Sequence, residues 1–245
     1  MKFINLILYS RNQEYDIMKN ILKNYYKIYD NVITYFYIFD ENLESDFKLD
    51  DDILYIKGKE TYIPGILTKT IKAFNYIYEN FNDFNYIIRS NISTIIDIKE
   101  LEYELNNNPV EYYGGGNILS LQWIDPRSGI HDHRWFETLF AQGTAIILSK
   151  KGLDFIIKNV DKINYDVIDD FSLGLFFKDN KPEYIPQRVG LNKFNELTNL
   201  ADINLLSKFI EIYKIIFFRH KCVENRNVDI FHMNQITKIL MNKNI

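Results

Sequence analysis

The chain has 245 residues, 47% of them hydrophobic, enough for one sizeable core and consistent with a single α/β domain over residues 1–245. Lys plus Arg number 29 against 33 Asp plus Glu, a formal charge of −4, which excludes a global cationic field that would recruit nucleic acid or an anionic membrane, so any anion site must be local. One cysteine, Cys222, excludes an intramolecular disulfide framework; no run reaches the roughly 18 apolar residues of a membrane span, and the opening MKFINLILYS has no small-residue cleavage site, so the expectation is a soluble, cytoplasmic protein.

In chain order, Phe3 to Tyr9 is a short apolar strand, and Glu14 to Tyr26 places Ile17, Ile21, Leu22 and Tyr25 at helical spacing. NVITYFYIF, ending at Asp40, and DILYIKG, ending at Gly58, are rich in β-branched and aromatic residues and read as strands. From Pro64 to Phe81 a helix face recurs at Ile66, Leu67, Ile71, Phe74 and Ile77, with proline tolerated in the first turn, and FNYIIRS supplies the next strand. Repeated βα units predict an open, Rossmann-type, mostly parallel sheet flanked by helices, whose ligands lie beyond the carboxyl ends of the strands. Ser10, Asp40, Glu60 and Ser90 to Ser93 fall on that edge, whereas the acidic run Asp50 to Asp52 precedes its strand and reads as a solvated turn. Further on come YYGGGNI, a strand in GTAIILS, a helix from Lys150 to about Val160 and another around Asp169 to Lys178.

Four stretches in order, ETYIPGILTKTIKAF, FNYIIRSNISTIID, FAQGTAIILSKKGLDFI and DDFSLGLFF, resemble the motifs of the fringe and β-1,3-galactosyltransferase type of inverting glycosyltransferase, and DIFHM is similar to the late segment whose histidine contacts metal in parts of that family. The resemblance implies a GT-A-like fold, a nucleotide-sugar donor, a UDP-sugar first, bound by residues 1–100, and a glycan or glycoprotein acceptor bound by residues 101–245, which also close the site. RSNIST also resembles segments of viral and microbial glycosyltransferase-like proteins; with the AT-rich coding bias suggested by abundant Ile, Asn, Lys and Tyr, it points to a giant-virus source.

Where that family carries an Asp-x-Asp motif, this chain has Asn91 and Ser93. An amide and a hydroxyl are poorer ligands for Mn²⁺ or Mg²⁺ than two carboxylates, so the expectation is a metal-poor site whose leaving-group charge is met by Lys69, Arg89, Arg219, Lys221 and Arg226, with Ser10, Asn91 and Ser93 beside the donor and His232 as ligand or donor. On the residues alone, Lys69 and Arg89 are equally ordinary surface cations, and Ser93 with Asp97 equally the cap and first turn of a following helix.

By similarity to the family's Glu-Asp-Val pattern, Asp170 is the first choice for the base that deprotonates the acceptor, and Asp169 the second; the bland alternative is that both only cap the helix they begin. Gly115 within Gly114 to Gly116, and Gly143, would let backbone and sugar approach closely, while YYGGGNI lacks the strand-to-helix context of a phosphate loop. In GIHDHRWF, His131 and His133 alternate like strand neighbours, without the spacing of a helical zinc site, and the stretch is read as an acceptor loop with Trp123 or Trp135 stacking on sugar. The alternative of a different class is a noncatalytic sugar- or protein-binding module that kept the fold and lost the metal ligands.

Overall fold

The computed structural model describes residues 1–190, 203–219, 221–222 and 224–244. Strands β1 (Phe3–Leu8), β2 (Val32–Asp40), β3 (Phe47–Asp50), β4 (Ile53–Lys57), β5 (Tyr86–Asn91), β7 (Tyr113–Gly115), β10 (Ala145–Ser149) and β11 (Gln187–Arg188) form one eight-stranded sheet in the order β11-β7-β10-β5-β1-β2-β4-β3. The centre, β5-β1-β2-β4, is parallel, as expected from the βα repeats, and β3 and β10 run against it. No strand is expected over Phe47–Asp50, yet β3 closes a hairpin onto β4, and Asp51, at φ 53, makes the turn expected of the acidic run.

Side chains alternate across the sheet, so each strand feeds two cores. Phe3, Ile7, Phe36, Ile88 and Ile147 face α1 (Gln13–Tyr26), α3 (Ile98–Asn107) and α7 (Arg226–Asn244), while Ile4, Leu6, Tyr37, Ile87, Ile146 and Leu148 face α2 (Gly65–Asn80), α4 (Lys150–Lys158) and α5 (Asp169–Asn180). Each buried Leu or Ile contributes about 1.5–3 kcal/mol, so both faces are firmly covered. Helix α1 is started by Asn12, whose side chain accepts from Tyr15 N at 2.9 Å, with Glu14 and Asp16 in the first turn where the helix dipole favours them.

Ser93 does not cap a helix. Thr94, Ile95 and Ile96 are β-branched and form β6 (Thr94–Ile96), which pairs antiparallel with β12 (Phe217–Arg219), and the cap of α3 is Asp97, whose carboxylate accepts from Glu100 N at 3.3 Å. A second small ribbon joins β8 (Ile118–Ser120) to β9 (Leu139–Ala141). Between them His131 and His133 are not strand neighbours: Asp132 accepts from Arg134 N and starts a short 3₁₀ turn over His133–Trp135. Helix α6 (Ile203–Tyr213) precedes β12. Among the described residues no helix is long and apolar enough to cross a membrane.

Candidate functional site

The carboxyl ends of β1 and β5, the amino end of the antiparallel β10 and the first turn of α5 meet at one sheet edge, the place where an open α/β sheet leaves a crevice. A cleft of about 400 Å³ lies there. Ser10, Arg89, Asn91 and Ser93 line it from the strand ends, Gly143, Asp169 and Asp170 from the β10 and α5 side, and Arg219, Lys221 and Arg226 from the C-terminal segment.

Arg89 organises one side. It lies on the same face of β5 as Ile87, so its guanidinium enters the α2/α5 core, where it is 2% exposed. It donates Nε to Tyr37 Oη at 3.2 Å and Nη1 to Asn91 Oδ1 at 3.3 Å, and it bonds the Gly143 carbonyl and the Asp169 carboxylate. Because Tyr37 Oη receives Arg89, its own proton goes to Thr70 Oγ1 at 2.9 Å, which in turn donates to Ile66 O at 2.9 Å. Burial alone would push the guanidinium down; Asp169, Tyr37 and Asp170 outweigh it and hold it above its ordinary value.

Neither aspartate is the helix cap. Ile168 holds that position without a side-chain bond, which leaves Asp169 to neutralise Arg89 and Asp170 to face the cleft, where its Oδ2 accepts from Gly143 N at 2.8 Å. Burial, and then the neighbouring charge of Asp169, push the Asp170 carboxyl up to about 6; the Gly143 N–H and Arg89 act against that rise. A Cβ at Gly143 would sit 3.1 Å from Asp170 Oδ2 and 3.2 Å from Arg89 Nη1, close enough that both would have to yield by a few tenths of an ångström.

The opposite side is cationic. The pairing of Arg219 with Thr94 in the β12–β6 ribbon places its guanidinium within 2.8 Å of Thr144 Oγ1. Arg226 opens α7, pairs with buried Asp229 and stands 5.5 Å over the Tyr15 ring. Burial, followed by the charges of Arg219 and Arg226, lowers Lys221. With Asp229 offsetting one of them, three cations on this side leave an excess of positive charge that favours an anion. The Asn91 and Ser93 donor set has no carboxylate, and the Asn91 oxygen already accepts from Arg89, so these residues do not fit a hard divalent ion. Among the described residues, no group of three or more His, Cys, Asp or Glu could hold a metal.

Five expected site residues lie elsewhere. Lys69 is fully buried below the cleft: its Nζ donates to Tyr9 O at 3.1 Å and to Glu60 Oε1 at 2.5 Å, and burial lowers it against the pull of Glu60. It pins the end of β1 rather than lining the donor edge. Gly115 is inside β7, packed so closely on Ala145 and Ala141 that no side chain fits, so it faces no acceptor. Trp123 packs edge-on against Phe140 and Trp135 against Phe171, both away from the cleft. His232 is on α7, 8% exposed, and does not line it either. The sequence reading gave no role to Tyr15, Tyr62, Ile66, Gln142 or Ile168, which do. Tyr62 stands in the ETYIPG turn, and Gln142 immediately precedes the expected Gly143, so adjacency was the available signal.

No protein-family model matches the chain, and no curated protein matches it. Among solved structures, a glycosyltransferase involved in the glycosylation of the major capsid of PBCV-1 is similar at 12% identity and a TM-score of 0.47, over 95% of this chain and 98% of that one. A likeness at that level carries no activity or residue role to this protein.

Proposed function

We propose that the protein is an inverting glycosyltransferase that moves a sugar from a nucleotide-sugar donor, a UDP-sugar first, to a glycan or glycoprotein acceptor. The observation that carries this reading is the disposition of charge: Asp170, pushed up to about 6, lies on the α5 side of the cleft, and Arg219, Lys221 and Arg226 lie on the C-terminal side. A direct displacement needs that opposition. The acceptor oxygen gives its proton to the Asp170 carboxylate and forms a bond to the anomeric carbon; the bond from that carbon to the diphosphate oxygen breaks, and its electron pair leaves with the nucleoside diphosphate. The three cations meet the charge that develops there, in place of a metal held by carboxylates. A base that titrates near 6 is ionised at neutral pH and still accepts a proton readily.

The test is calorimetric titration with UDP and a panel of UDP-sugars, each with EDTA and with excess Mn²⁺. Binding that survives EDTA is the expected result. Binding only with Mn²⁺ would overturn the basic-side-chain account of the leaving group, and failure with every UDP ligand would overturn the UDP assignment.

A further inference from the structure

The two flanks of the cleft come from opposite faces of the sheet. Tyr15 and Arg226 belong to the α1/α7 face, whereas Tyr62, Ile66, Ile168 and Asp170 stand at the amino ends of α2 and α5. Among the described residues the cation on this second flank is Arg89, and it is buried with its donors directed to Tyr37, Asn91, Gly143 and Asp169. Among the described residues, an acidic acceptor on this flank would find no cation beside Asp170 other than the buried Arg89.

What the flank does offer is an aromatic surface. Tyr62 is 52% exposed, and among the described residues it is the cleft-lining side chain that combines large apolar area with such exposure. Its hydroxyl lies 3.5 Å from Ser128 Oγ; Ser128 donates its single hydroxyl proton to Asp125 Oδ2 at 2.6 Å, so Tyr62 is the donor in that pair. The Ser128 carbonyl also accepts from Ile168 N at 2.9 Å, so the loop beside the Tyr62 hydroxyl holds the start of the helix that bears Asp170. A ring exposed on its face, with its hydroxyl near Ser128 and bordered by aliphatic Ile66 and Ile168, suits a ligand with an apolar C–H face and hydroxyls at its rim. That is the chemistry of a neutral pyranose.

Resting on the transferase reading, we infer that Tyr62 is the stacking platform for a neutral pyranose of a glycan acceptor, and that it holds one ring hydroxyl toward Asp170. Tyr62 takes the part that Trp123 and Trp135 were expected to play, and it selects sugar acceptors over bare peptide hydroxyls.

The experiment uses the full chain with UDP present and a panel of neutral methyl glycosides and oligosaccharides, read by saturation-transfer NMR, alongside UDP calorimetry on the same samples. Wild type should bind members of the panel with saturation on the C–H face; Tyr62→Ala should weaken them about tenfold, and Tyr62→Phe, which keeps the ring, should stay within about threefold. Because Tyr62 is exposed, Tyr62→Ala should melt with wild type, which separates a platform from a packing role. Equal glycan binding by wild type and Tyr62→Ala, or no glycan bound by wild type, overturns the platform. If UDP fails to bind while glycan binding still depends on Tyr62, the UDP assignment falls and the sugar platform stands; if UDP binds and glycan binding ignores Tyr62, the platform falls and the nucleotide site stands.

Discussion

The two flanks of the cleft hold charge by opposite means. On the Asp170 side every charge is answered from inside the sheet: Arg89 lies between Asp169, Tyr37 and the Gly143 carbonyl, and Gly143 N donates to Asp170. On the other side Arg219, Lys221 and Arg226 stand together with Asp229 as the buried carboxylate paired to Arg226, on a segment joined to the sheet region by a three-residue strand pairing and by the packing of α7 on α1. The first arrangement keeps one carboxylate poised. The second is favourable chiefly when an anion enters, so one flank is suited to chemistry and the other to binding.

The sharpest break of that comparison is Asp170→Asn, which should lower transfer about 10²- to 10⁴-fold while leaving UDP affinity within about twofold, measured as nucleoside diphosphate released from a UDP-sugar plus acceptor. Retained turnover would remove Asp170 as base. Arg89→Ala should cost about 3–5 kcal/mol in urea unfolding, because it strands the buried Asp169 carboxylate; a loss below 1 kcal/mol would mean that the inner flank does not depend on this pair. Lys221→Ala, by contrast, should leave stability alone and weaken UDP binding about tenfold, with the difference shrinking at high salt. An unchanged Kd would take Lys221 out of the anion site.

A further effect is a pH dependence of stability. Asp170 is raised from the ordinary carboxylate value to about 6, so its ionisation costs the folded state; the cost is absent below about pH 4 and complete above about pH 6. Asp170→Asn removes it, and the variant's melting temperature relative to wild type should climb between those values, at about 2–4 °C per kcal/mol for a chain of this size. A difference that stays flat with pH would show that burial does not perturb this carboxyl.

The parallel sheet was legible because Phe3 to Leu8, Val32 to Asp40 and Tyr86 to Asn91 carry dense apolar runs separated by helical periodicity. β3 was not: Phe47–Asp50 is half charged, and its place comes from pairing with β4 rather than from any pattern of its own. The same limit explains Lys69 and the tryptophans. Sequence puts Lys69 at the right end of α2, but whether its ammonium faces solvent or Glu60 depends on helix rotation against β1. Trp123 and Trp135 sit in the expected loop, yet they pack beside Phe140 and Phe171 rather than lining the cleft, a contact between distant segments that spacing does not encode. The order of motifs singles out Asp170 ahead of Asp169, but that Asp169 pairs with Arg89 while Asp170 lines the cleft depends on a contact with a distant strand that order does not encode.

The β6–β12 ribbon has a consequence for measurement. It joins Thr94–Ile96 to Phe217–Arg219, and the cations follow from Arg219 onward, so under the proposed function a molecule whose ribbon has come apart keeps its base and loses its hold on the diphosphate. Apparent nucleotide affinity then scales with the fraction of molecules whose ribbon is formed. A preparation with half its ribbons open would bind half as tightly, and nucleotide affinity becomes a gauge of how completely the end of the chain has returned to its middle.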